Sequence, residues 1–251
     1  MKRNTLFAAL VALALALAGN WLGVDLGPIT NAFLSDQQQS PQTSSGIAES
    51  AIAHSASSAD SDSDADFDFY LLALSWSPTF CADGQRDPQQ CGVGKRFGFV
   101  THGLWPQYER GFPADCSTSE PREVSRRIED AMLDIMPSRG LVRHQWRKHG
   151  TCSGLSQRDY FAKVRAATES ISIPGQFRNA TSPRRLSARE VENAFATTNP
   201  KLDANEMAVR CDRRRVKEVR ICLTKGLEPR ACREVDARGC QQSNLQLLPS
   251  K

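Results

Sequence analysis

Hydrophobic and polar positions along the chain follow two distinct periods. At Phe67, Phe69, Leu71 and Ala73 the apolar residues alternate, and they merge into the run FYLLALSW. That pattern predicts a central strand, which Ser77-Pro78 ends. Cys81 and Cys91 then bracket a stretch rich in Asp, Gly and Pro that reads as a loop. Phe97-Gly98-Phe99-Val100 predicts a second strand, with His102 at its end. A helical period takes over at 121–136, where Val124, Ile128, Met132 and Ile135 share a face and Pro121 stands near the start. Another helix is predicted over 142–149, with Trp146 turned to the core and Gly150 as its stop. Ser156 with Asp159, and Ser187 with Glu190, have the form of capping boxes. They open predicted helices that run to Ile171 and to about Asn199-Pro200. Strands follow around 206–211 and 216–223. Because strands and helices do not alternate regularly, an α+β fold is expected, a central antiparallel sheet with flanking helices, rather than a doubly wound one.

Two N-terminal stretches fit neither period. Lys2 and Arg3 precede an apolar run from Leu6 to Ala18, and Ala16-Leu17-Ala18 has the small-x-small form of a cleavage site. Residues 1–24 therefore read as a secretory signal. Left uncleaved they read as an anchor, since Trp21, Leu22 and Val24 lengthen the run to nearly the ~20 residues that cross a bilayer. Contact with a membrane is expected only in that second case. Either way the remainder is placed outside the cytosol, secreted or, as the compact signal favours, in a bacterial periplasm. Residues 25–66, rich in Ser, Gln, Ala and Asp, have no period and too little apolar surface to offset ordering. They read as a flexible linker. Residues 67–251 remain as one domain, and a hydrophobic content of 40% is enough for a real core.

A formal charge of +4 is only mildly basic and by itself points to no nucleic-acid partner. The eight cysteines include no C-x-x-C pair, which argues against a zinc ribbon. Export favours a disulfide framework instead, with the pairing left open. The histidines narrow the search further. Of the four, His54 lies in the linker; the other three fall in FVTHGLWPQ (99–107) and LVRHQWRKHGTC (141–152). On a helix, His144 lies one turn from Lys148, and Gln145 one turn from His149, so the four share a face about 140° wide. Such a face is a poor hydrophobic seam and a good anion site, although polar helix faces are ordinarily just solvated.

HGLWP at 102–106 and HQWRKHGTC at 144–152 closely resemble the two active-site segments of the ribonuclease T2 family. FDFYLLALSWSPTFC and the late VKEVRICL extend the resemblance from about Asp66 to Cys240. It implies an endoribonuclease that cleaves single-stranded RNA through a 2′,3′-cyclic phosphate with low base specificity, as a monomer without an obligate protein partner. A base must take the 2′-hydroxyl proton, an acid must protonate the departing 5′-oxygen, and cations must hold the charge on the phosphoryl oxygens. Histidine suits both proton roles because it titrates near neutrality. The nucleophile is already tethered to its target, so no metal or other cofactor is required. DNA lacks that nucleophile and should not be cut.

Position by position, the resemblance implies His149 as general base, His102 as general acid, His144 on the phosphate and Lys148 on the transition-state charge. Trp105 would stack on a base, with core packing as the alternative, and Gln107 would touch the same base through its amide. Gln145 departs from the Glu found in most of the family: it can donate through its amide but supplies no charge. The implied disulfides are Cys81–Cys91, Cys116–Cys152, and Cys211–Cys240 nested around Cys222–Cys232. Arg213-Arg214-Arg215 reads as a solvated hairpin turn rather than an RNA contact, and Asn179-Ala180-Thr181 fits a glycosylation acceptor. Two other classes remain: a catalytically weak secreted RNA-binding protein of the same fold, and a metal site built from His102, His144 and His149.

Overall fold

The computed structural model describes residues 66–84, 87–178 and 180–250. The signal or anchor segment, nearly all of the linker with His54, and Asn179 lie outside the described residues. The elements in chain order are β1 (Phe69–Trp76), α1 (Ser77–Ala82), α2 (Pro88–Cys91), β2 (Phe99–Gln107), α3 (Arg126–Met132), α4 (Arg139–Lys148) and α5 (Gln157–Glu169). Then come α6 (Gly175–Arg178), β3 (Arg184–Leu186), α7 (Ala188–Thr198), β4 (Met207–Asp212), β5 (Arg215–Leu223), α8 (Arg233–Ala237) and β6 (Leu245–Leu247).

The sheet runs β2-β1-β5-β6-β3, with β4 also paired to β5. Its pairings are antiparallel except one: β6 meets β5 in parallel, at Arg215 and Gln246. The sheet is therefore mixed, not wholly antiparallel as the sequence pattern suggests. After β5 the chain makes a long excursion through α8 before returning, and such a crossover allows parallel entry where a tight hairpin would not.

The apolar run of β1 is buried on both faces. Tyr70, Leu72, Leu74 and Trp76 face the main core, with Trp146 of α4, Tyr160 and Val164 of α5, and Val191 and Phe195 of α7. Phe69, Leu71 and Ala73 face a smaller cluster with Trp105, Cys222 and Cys232. Ser156 and Ser187 cap α5 and α7 as predicted.

Three helical expectations shift. α1 runs into the expected loop just past Cys81, and α2 closes it on Cys91, each helix with proline in its first turn, where no amide is needed. α3 starts only after Ser125. Residues before it stay irregular because the Pro121 carbonyl accepts from Trp146 Nε1 (2.8 Å) and Gln157 Nε2 (3.2 Å). α4 starts earlier than predicted, because the Ser138 side chain caps it by accepting from the Leu141 amide at 3.2 Å. All four implied disulfides are present. In the β4–β5 turn, Arg213 (φ 45°) and Arg214 (φ 65°) take the left-handed conformation, while Arg215 belongs to β5 and pairs with Asp83.

Candidate active site

The first motif does not follow the end of a strand; it is part of one. β2 continues through His102 to Gln107 along the edge of the sheet. An edge strand tolerates Pro106, whose missing amide would break an interior ladder. Gly103 lies opposite Ala73 and Thr101 opposite Leu74, which leaves His102 as the extra residue of a β-bulge. Thr101 turns to the helices, its hydroxyl 2.9 Å from that of Thr168. His102 turns to the other face, edge-on to Trp105 with ring centroids 5.1 Å apart.

On that face His102 Nδ1 donates to Glu218 Oε1 across 2.7 Å, and Arg220 Nε donates to Glu218 Oε2, also at 2.7 Å. Burial would push the Glu218 carboxyl up, but the bonds and charges of His102 and Arg220 outweigh it and hold the group at about 2.

The second motif meets the first over Gly103. Gln145 Oε1 accepts from Trp105 Nε1 at 2.7 Å directly above that glycine. A Cβ on residue 103 would stand 2.1 Å from Gln145 Oε1 and 2.5 Å from Trp105 Nε1, so only glycine fits beneath the bond. α4 stops at Lys148, and His149 is its cap rather than its last turn, with φ −123° and its amide donating to the Gln145 carbonyl. The departure from helical φ lets the imidazole lie on Trp105, centroids 5.0 Å apart and planes 22° apart. Gly150 is needed for space, not as a left-handed stop. A Cβ there would stand 2.5 Å from Trp146 Cε3 and 2.8 Å from Tyr160 Cε1. The Cys116–Cys152 bridge, with the Asp115 amide donating to the Lys148 carbonyl at 2.9 Å, ties the loop after β2 to the end of α4. Phe112, in that loop, is 53% exposed, its ring centroid 6.2 Å from that of His149.

The four polar side chains of the second motif do not share one solvated face. His144 and Lys148 reach solvent, while Gln145 and His149 are buried. Desolvation, first, and then the charges of Lys148, His102 and His144 hold His149 down at about 3. His144 is lowered too, by burial and then by Lys148 and His102. Gln145 Nε2 and His149 Nδ1 have no hydrogen-bond partner among the described residues. Trp105 is buried as well: His149 lies on the indole, the Arg220 guanidinium stands 5.2 Å from its centroid, and Gln145 takes its N–H. The packing alternative describes this geometry. Gln107 is buried, and its amide donates to the Pro106 carbonyl at 2.7 Å. Among the described residues no three His, Cys, Asp or Glu side chains are grouped so that they could hold a metal ion.

Motif reading alone passes over Glu218, Arg220 and Phe112. The first two stand two apart in the apolar strand VKEVRICL, hence on one face of it, and that was the available signal.

The arrangement offers a buried neutral imidazole, a second imidazole held on a carboxylate, and a lysine with a third imidazole at the solvent edge. Groups of these types can exchange protons and attract an anion. The chain belongs to the ribonuclease T2 family, whose model matches residues 67–232. It is 44% identical over 107 residues to a ribonuclease of Aeromonas hydrophila, covering 43% of this chain and 47% of that protein. To a probable ribonuclease of Haemophilus influenzae it is 34% identical over 148 residues, covering 53% and 51%. The chain thus spans about half the length of these curated relatives. In fold it resembles an RNase-related protein from Calystegia sepium (TM-score 0.57, 23% identity, 73% of this chain and 97% of that one). It also resembles RNase NT in complex with 5′-AMP (TM-score 0.52, 23% identity, 73% and 99%).

Proposed function

We propose that the protein is a metal-independent endoribonuclease of single-stranded RNA, acting outside the cytosol as a monomer. One observation carries the reading. Two imidazoles flank one indole, 5.1 and 5.0 Å from it, in opposite electrostatic settings. His149 is kept neutral and free to accept a proton; His102 is held through Nδ1 on the Glu218 carboxylate, which leaves Nε2 to face a substrate. In this reading His149 removes the 2′-hydroxyl proton and the oxygen attacks the adjacent phosphorus. His102 protonates the departing 5′-oxygen, leaving a 2′,3′-cyclic phosphate that water then opens by the reverse proton transfers. Lys148 and His144, at the solvent edge, meet the phosphoryl oxygens, and the unpaired Gln145 Nε2 is a further donor in reach of the site. Trp105 is the platform that spaces the two rings. The exposed ring of Phe112 is the better surface for a base to stack on. Four disulfides favour an oxidising compartment, consistent with secretion or a periplasm.

The test is incubation of the purified protein with homopolymer RNAs and DNA in the presence of chelator. Cyclic-phosphate ends on RNA and intact DNA are expected. Binding of RNA without cleavage would replace this reading with that of an inactive RNA-binding relative. Loss of activity in chelator, restored by a divalent ion, would overturn metal independence.

A further inference from the structure

Glu218 is a buried charge next to the reacting groups that the chemistry above does not use. Burying a carboxylate costs several kcal/mol of hydration unless its oxygens find strong partners. Here both do, in different directions. Oε1 takes His102 Nδ1 at 2.7 Å, with the Ser75 hydroxyl 3.5 Å away, and Oε2 takes Arg220 Nε at 2.7 Å. The reach is made possible by β1, which separates β5 from β2. Opposite Glu218 and Arg220 it carries Ser75 and Ala73, and such short side chains let the carboxylate extend across a whole strand. Arg220 also lies 5.2 Å from the centroid of Trp105, the ring on which His149 stacks. One strand thereby braces both histidines.

We infer that Glu218 and Arg220 are positioning residues for the cleavage reaction: the carboxylate grips His102 by Nδ1 so that Nε2 delivers the proton, and the guanidinium locks the carboxylate and steadies the Trp105–His149 stack. The inference rests on His102 being the general acid. The two ring nitrogens are distinct, and a partner on one sets the tautomer and direction of the other. His102 lies near His144 and the neutral His149, and it lines a cleft with Asp83, Asp212, Arg213 and Lys217. Asp83 is already paired with Arg215, and Glu218 is the carboxylate in direct contact with the ring.

The experiment compares Glu218→Gln, Glu218→Asp, Arg220→Met and His102→Ala on two substrates. One is a dinucleotide, whose alkoxide needs a proton to leave; the other is a nucleoside 3′-(p-nitrophenyl) phosphate, whose phenolate does not. Glu218→Gln is expected to lower kcat on the dinucleotide about 10–100-fold, the range for losing the carboxylate that orients a metal-bound histidine, taken over to this metal-free pair. KM should hardly move, and the loss on the aryl ester should be under about threefold. Glu218→Asp should recover part of the rate, and Arg220→Met should fall in the same direction by less. Equal losses on both substrates, or an unchanged dinucleotide rate, in a variant with a native near-UV spectrum would overturn the inference. If Glu218→Gln does not fold, Arg220→Met carries the same comparison. His102→Ala is the control: if it shows no preference for the aryl ester, the acid is wrongly assigned, a failure distinguishable from that of Glu218.

Discussion

His149 lies far from its ordinary titration range, and the consequence is measurable. Its ring is 6% exposed, stacked on Trp105 and surrounded by Lys148, His102 and His144, which takes it from 6.5 down to about 3. Charging the ring in place therefore costs on the order of 5 kcal/mol more than in water, at about 1.36 kcal/mol per pH unit. A histidine titrating normally would be only about 3% neutral at pH 5, whereas this one stays almost wholly neutral, a difference of roughly 30-fold in available base. The acid limb of kcat/KM, which reports the free enzyme, is thus expected near pH 3 to 4 and not near 6.5. The same shift bears on folding. The folded pKa lies below the unfolded one, so the unfolded chain takes up the extra proton first. The stabilisation from His149 is complete above about pH 6.5 and is lost as pH falls toward 3. Between pH 7 and 4.5 the loss amounts to about 3 kcal/mol. Glu218, held at about 2, loses its contribution only as pH falls below about 4.5, so the interval from pH 7 to 4.5 reports His149 without it. Urea melts of wild type and His149→Gln at the two pH values isolate the term, and NMR of the imidazole protons reads the midpoint directly. A midpoint or an acid limb near 6.5, or equal pH dependence in the two proteins, would refute the reasoning.

Other consequences can be checked alongside. Gln145→Glu keeps the acceptor for Trp105 Nε1 and adds an anion beside His149, so the acid limb should move up toward 6.5; indistinguishable profiles from pH 4 to 8 would sink the idea. Gly103→Ala drives a Cβ into the Trp105–Gln145 bond and should cost about 1–3 kcal/mol in a denaturant melt, with kcat falling further than stability explains. Replacing Cys116 and Cys152 by serine should cost about 3–4 kcal/mol for a loop of 36 residues, read as a lower midpoint with activity reduced even below the transition. Phe112→Ala should weaken binding of a mononucleotide by about 1–3 kcal/mol without altering kcat on a good substrate, measured by titration.

What the sequence determined by itself is what local chemistry decides. The apolar run of β1, the serine caps of α5 and α7, and the two histidine motifs are each written within about ten consecutive residues, and local spacing suffices to read them. The four cysteine pairings followed from family resemblance and not from spacing. What only the tertiary structure decided is how distant segments share space. A sheet edge lets β2 run on through Pro106, and a bulge at His102 turns that ring to the face where Glu218, over a hundred residues later, can meet it across two short side chains of β1. Trp105 and Gln145 look like ligand-facing residues in their motifs, yet they bury each other over Gly103. No periodicity encodes such contacts, because they depend on which strand lies beside which, and that order is set by the packing of the whole core.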